Sequence, residues 1–152
     1  MEKKEKLYDK LEELAPDVAA FEEGTLSRSR WHHRTHMAVA FWYLSNLEEP
    51  EARLRICRGI RHYNDCQGIP NTHESGYHET LTLFWIRVIR RFLDIAKPGQ
   101  LGLELFTRLI DRYGDRKDFW RDHYSFDLLQ SAEARRTWVE PDRKGFDLEG
   151  IL

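Results

Sequence analysis

Two cysteines in 152 residues, Cys57 and Cys66, are too few and wrongly spaced for a disulfide scaffold or a four-thiolate metal site. Neither stands beside a convincing base in the sequence, so both read as structural side chains in a reduced compartment. An excess of charge of one sign is also lacking. The 24 Lys and Arg residues and 26 Asp and Glu residues are mixed along the chain and leave a formal net charge of −2. No basic field is available to neutralise a run of phosphates, which removes nucleic acid as the default partner. Pieces such as RLRICRGIRH read as the wet face of a helix. Long hydrophobic runs are missing too: the longest, Met37 to Leu44, falls well short of the roughly 20 residues of a spanning helix. The opening MEKKEKLYDK has no apolar core of a secretion signal. The expectation is a cytoplasmic protein that does not enter a membrane.

What is present is a chain that is 41% hydrophobic and 33% charged, which places it with soluble globular proteins and away from disordered ones. At this length a single domain, residues 1–152, buries roughly 70% of the surface its unfolded form exposes. No strand pattern of useful length, internal repeat or low-complexity segment interrupts it. Nearly every periodic segment has helical spacing. Leu7, Leu11 and Leu14 mark a helix from about Lys3 to Ala15 that stops before Pro16, and Asp17 to Glu23 adds a short piece ended by Gly24. Residues 1–24 thus read as a helical extension packed on the domain. A third helix, capped by Ser27 or Ser29, runs to about Asn46 and is apolar all round over Met37 to Leu44, so it is central. Further helices follow from about Glu51 to Asp65, from Tyr77 to Ala96, and over LGLELFTRLIDRYG, closed by Gly114. Lys117 to Tyr124 and Ala132 to Val139 read as short helices, and residues 141–152 as a surface tail. The fold class is all-α, a bundle of four to five main helices.

Three histidines open the central helix in SRSRWHHRTHMAVAFWYLSN. His33 and His36, three apart, share the inward face that continues through Met37, Ala40 and Leu44, whereas His32 lies about 100° round the axis. A second cluster, SGYHETLTLFW, places His78 at the head of the stripe Thr82, Trp85 and Ile89, with Glu79 on its shoulder. Three helices in up-down-up order bring the starts of the first and third to one end of the bundle, and Tyr63 and Asn64 arrive there from the middle helix. Three neutral imidazoles with a carboxylate suit a divalent ion, zinc first, with iron, nickel or manganese equally compatible. On this reading His33, His36 and His78 are metal ligands. Glu79 is the proton-handling group, and Tyr63 and Asn64 orient the substrate. Tyr77 and Arg90 contact the substrate from the rim, although a salt link toward Glu79 explains Arg90 more simply. H-x-x-H is a weaker signature than H-E-x-x-H, which is absent.

The other histidines have structural accounts. His62, beside Arg61, reads as surface, His73 as part of a capping box from Asn71 to Glu74, and His123, which follows DFWRD, as structural ahead of a place in a groove. Helical core spacing explains most of the aromatic residues, including Phe41, Trp42, Phe84 and Trp85.

The elements WHHRTHMAVAFWYL, GIRHYN and NTHESGYHETLTLFW together resemble a family of small, largely uncharacterised bacterial proteins. Its pattern, a Trp followed by two histidines three apart, a Tyr-Asn pair and a Gly-Tyr-His-Glu-Thr stretch, is matched by Trp31, His33, His36, Tyr63, Asn64 and Gly76 through Thr80. SAEARRTWVEPD also looks like that family's ending, so the resemblance runs from about Phe21 onward. His32, His73 and Glu74 lie outside the pattern. The resemblance implies a shared helical fold and says almost nothing about chemistry. The leading functional expectation is a metal-dependent hydrolase or transferase acting on a small-molecule substrate. The alternative is a non-catalytic ligand- or partner-binding module with a buried polar network, and a regulator that contacts a macromolecule through its charged faces ranks third. A homodimer is the assembly the chain would allow.

Overall fold

Apolar periodicity decides the architecture. In the computed structural model, which describes residues 8–96 and 102–143, the elements are α1 (Leu14–Glu23), α2 (His33–Asn46), α3 (Glu49–Cys66), α4 (Glu79–Asp94), α5 (Gly102–Tyr113) and α6 (Ala132–Arg136). Single 3₁₀ turns stand at Leu11–Glu13, Phe119–Asp122 and Leu128–Gln130, and there is no strand among the described residues. The protein is all-α.

The first helix departs from the sequence reading. Pro16 does not stop it but lies in the first turn of α1, where a missing N–H costs nothing because that group has no partner inside the helix. The expected helix from Lys3 to Ala15 therefore reduces, within the described residues, to the 3₁₀ turn and the start of α1; residues 1–7 lie outside them. At the other end the chain needs the left-handed conformation, and Gly24 supplies it at φ 75°. A Cβ there would meet the Cys66 Sγ at 2.4 Å, so the same glycine also lets α1 lie against the end of α3.

Helix α2 is the hub: Met37 to Phe41, Tyr43 and Leu44 are buried, and α1, α3, α4 and α5 all pack on it. It opens later than expected. Ser27 and Ser29 bond to each other in the turn ahead of it, and His32 takes the N-cap position without a side-chain cap. The middle helix α3 begins two residues early because Pro50 fits its first turn. Core contacts extend from Leu14 and Phe21 in α1 through Phe106 and Leu109 in α5 to Leu128 and Ala134 near the end.

The start of α4 moved in the other direction. His78 is its N-cap, and Tyr77 precedes the helix. Beyond α5, the 3₁₀ turns and α6 fold back over this end of the bundle. The expected short helix from Lys117 is limited to the turn at Phe119–Asp122, and the one from Ala132 ends at Arg136. Of the expected tail, residues 141–143 are tied back by Asp142, which accepts from the Ser125 backbone at 2.8 Å, and by the Arg143 amide bonding the His123 carbonyl at 2.9 Å; residues 144–152 lie outside the described residues. No helix of the described residues is long and apolar enough to cross a membrane.

Candidate functional site

The up-down-up order of α2, α3 and α4 leaves a cavity of about 430 Å³ where the first turns of α2 and α4 meet the second half of α3. Its walls include Met37, Ala40, Ile56, Ile60, Trp85 and Ile89, and the Phe119–Asp122 turn closes one side with Trp120. Lys117, Asp118, Arg121 and Leu129 are exposed and form the mouth. His33, His36 and His78 all line it, from two helices some forty residues apart in the chain. They do not play one role.

His78 is fully committed. Its Nδ1 accepts the Leu81 amide at 3.0 Å, capping α4, and its Nε2 donates to the Leu128 carbonyl at 2.8 Å. A ring used at both nitrogens has no lone pair left for an ion. Its neighbours in GYHET are bound in the same way. Gly76 holds φ +79°, where a Cβ would stand 2.3 Å from the Pro70 carbonyl oxygen. The Tyr77 hydroxyl donates to Glu79 at 2.8 Å. Thr80, buried, donates to the Thr137 carbonyl at 2.7 Å and accepts the Val139 amide at 3.0 Å. Arg135 spans the Gly76 and Leu129 carbonyls at 3.0 and 3.1 Å. The stretch is a dock for the C-terminal segment. Burial lowers the His78 pKa, and the nearby Arg135 charge adds to this, against the opposing Leu128 bond.

His33 and His36 are different. His33 Nε2 donates to the Tyr113 carbonyl at 3.0 Å, capping the end of α5, and its ring meets Trp85 edge-on at 4.7 Å. That bond assigns the proton to Nε2 and leaves the Nδ1 lone pair unused. The His36 ring lies on the Trp31 indole with ring centroids 3.9 Å apart, and neither of its nitrogens makes a hydrogen bond to the described residues. The residue is exposed where it borders the cavity, and the cavity walls beside it are mostly apolar and offer no countercharge. Desolvation by the surrounding protein, reinforced by His33 and His32, lowers the His36 pKa below the ordinary imidazole value, so the ring is neutral at neutral pH. Burial lowers His33 as well, the Tyr113 bond opposing and Lys117 assisting. The Thr82 hydroxyl also lines the cavity and makes no hydrogen bond to the described residues.

The remaining expected site residues are engaged elsewhere. Tyr63 is wholly buried between Phe21 and Trp31, and its hydroxyl donates to the Leu26 carbonyl at 2.9 Å, holding the turn ahead of α2. Asn64 donates to the Asn71 side chain at 2.9 Å, and Asn71 Oδ1 also accepts the Tyr77 amide at 3.0 Å. Both therefore shape the site's frame and do not line the cavity. Glu79 is likewise not among the lining residues; it accepts from Tyr77 and from Arg61 at 3.5 Å. Arg90 pairs with Asp94 at 2.8 Å and approaches the Leu44 carbonyl, away from both the cavity and Glu79. Of the two rim residues proposed for substrate, only Tyr77 lines the cavity, and Arg61 stacks over its ring at 4.2 Å.

One smaller reading changes, and two other histidines gain a structural detail. NTHE starts no helix: Thr72, not Asn71, accepts the Glu74 and Ser75 amides, closing a turn. His123 is buried edge-on against Phe84 and Phe119. His62 lies 3.6 Å from Cys66 Sγ, one helical turn away, a juxtaposition that adjacency in sequence cannot reveal. Trp120, the charged mouth and the Arg135 clamp are the parts of the site that sequence reasoning missed. KDFWRD signals an aromatic residue among charges, but nothing in EARR separates buried Arg135 from exposed Arg136.

As a metal centre the trio is incomplete. Among the described residues no three His, Cys, Asp or Glu side chains are grouped as an ion requires. No family model, curated protein or solved structure matches the chain.

Proposed function

We propose that the cavity binds a small, largely apolar molecule, and that His36, helped by His33 Nδ1 and the Thr82 hydroxyl, holds the polar group it carries. This is the ligand-binding alternative, and one observation carries it above the metal reading. His36 places a polar ring with no hydrogen bond to the described residues inside a cavity of about 430 Å³ whose walls are mostly apolar. The protein leaves the donor and the acceptor of this ring open, so a ligand group entering the cavity can pair with both. The volume lies within the range that takes small molecules, and few polar groups among apolar walls is their usual pattern. A neutral imidazole presents one N–H and one lone pair, which matches a hydroxyl, a carbonyl or an amide.

Titration with 1-decanol, followed by the fluorescence of Trp31, Trp85 and Trp120, tests the reading. Saturable binding to the wild type, weakened about tenfold in a His36→Ala protein that still unfolds cooperatively, is the expected result. No saturable signal in the wild type would overturn it. Metal analysis of protein purified without a His tag supplies the opposing arm: about one ion per chain, lost in both His33→Ala and His36→Ala, would replace this reading with a metal centre.

A further inference from the structure

Resting on that reading, we infer that the molecule is an anionic amphiphile, its apolar body in the cavity and a single carboxylate at the mouth between Lys117 and Arg121. Both cations are exposed at the mouth, and neither makes an ion pair with the described residues. Asp118 stands beside them, also exposed and also without an ion pair among those residues. Two positive charges and one negative leave the rim with one charge to balance, which suits a monoanion better than a doubly charged phosphate.

The rim is held in place. Phe119 and Trp120 are buried, the Phe119 amide bonds the Arg116 carbonyl at 2.9 Å, and the Arg121 amide bonds the Asp118 carbonyl at 2.9 Å. Arg121 lies over the Trp120 ring at 4.4 Å, so its stem is ordered and its guanidinium stands at the edge. A guanidinium so placed matches the two oxygens of a carboxylate.

The interior would reject that charge. Neither His33 nor His36 is a cation at neutral pH, and the walls are apolar, so a buried anion would find hydrogen bonds but no countercharge. The ligand's orientation follows: apolar body inward, acid outward, and any uncharged polar group along the body within reach of His36. A cationic amphiphile would meet Lys117 and Arg121 with only Asp118 in its favour.

Decanoate, 1-decanol and decylamine, titrated separately into the intact protein at low salt, separate these cases. Decanoate is expected to bind about five- to tenfold more tightly than 1-decanol, the advantage two exposed charge contacts supply. That advantage should disappear in 0.5 M sodium chloride and in the Lys117→Gln, Arg121→Gln double variant, with 1-decanol binding unchanged there. Asp118→Asn, which makes the rim more positive, should raise decanoate affinity further. Equal affinity for decanoate and 1-decanol, a preference for decylamine, or an acid preference that survives in the double variant would each overturn the inference while leaving the proposed cavity function standing. Failure of all three compounds to bind the wild type would instead overturn the cavity function itself.

Discussion

The two ends of the cavity's histidine lining make an instructive pair. At the head of α2, His33 keeps one free nitrogen and His36 keeps both, while at the head of α4 His78 has none. All three carry the same side chain, near the same end of a helix, beside the same cavity. The difference is one of position relative to the helix end. His78 is the N-cap residue, where orphan amides compete for its lone pair, while His33 and His36 are inside α2 and project from it. Histidine at a helix start is therefore ambiguous between chemistry and architecture until the cap is located.

The comparison breaks most clearly at His78. His78→Ala removes the cap and leaves the buried Leu128 carbonyl without its donor, so about 2–4 kcal/mol of stability should be lost in denaturant unfolding. His78→Asn restores a capping oxygen that cannot reach Leu128 and should recover about 1 kcal/mol of this. A His78→Ala protein as stable as wild type would end the structural account of GYHET. Next in size is Thr80→Val, nearly isosteric but unable to serve Thr137 or Val139; a loss of about 1–3 kcal/mol is expected, with the C-terminal segment becoming more sensitive to protease. If α6 and its neighbours did not dock through Thr80, proteolysis would be unchanged.

His36 supplies the contrast. His36→Ala should cost about 1 kcal/mol or less, the worth of its contact with Trp31, while 1-decanol binding falls. A larger loss of stability than His78→Ala causes would reverse the assignment of roles. Acid acts on all three histidines together. His33, His36 and His78 all titrate below their ordinary 6.5 in the fold, so below that pH the unfolded chain takes up protons the folded protein refuses. Stability is complete above about pH 6.5 and declines as pH falls toward the folded values. Chemical denaturation at pH 7, 6 and 5 should show a shallower decline for His36→Ala than for wild type, and parallel curves would mean that His36 titrates normally.

Much of this was legible in the chain. The apolar girdle Met37 to Leu44 marked the hub, and the end of α2 fell at Asn46 as the periodicity indicates, because a helix buried on all sides cannot hide its pattern. The up-down-up order was enough to bring His33, His36 and His78 to one cavity. The helix starts were less legible. Pro16 reads as a stop from local rules, yet it is equally at home in a first turn, and only the packing of α1 decides between the two.

Partners were the least legible of all. Tyr63, Asn64 and Glu79 stand near one end of the bundle as the topology requires, but their polar atoms are taken by Leu26, Asn71, Tyr77 and Arg61, contacts formed across loops whose paths no periodicity encodes. The sequence by itself determined the helices, the central place of α2 and the end of the bundle at which the polar residues gather, since these follow from where apolar side chains recur. Only the tertiary structure decided which of those polar groups stay unengaged. A hydrogen bond depends on ångström-scale approach between segments, and the fold of residues 113–139 over α4 took His78 and Thr80 into its frame and left His36 open to the cavity.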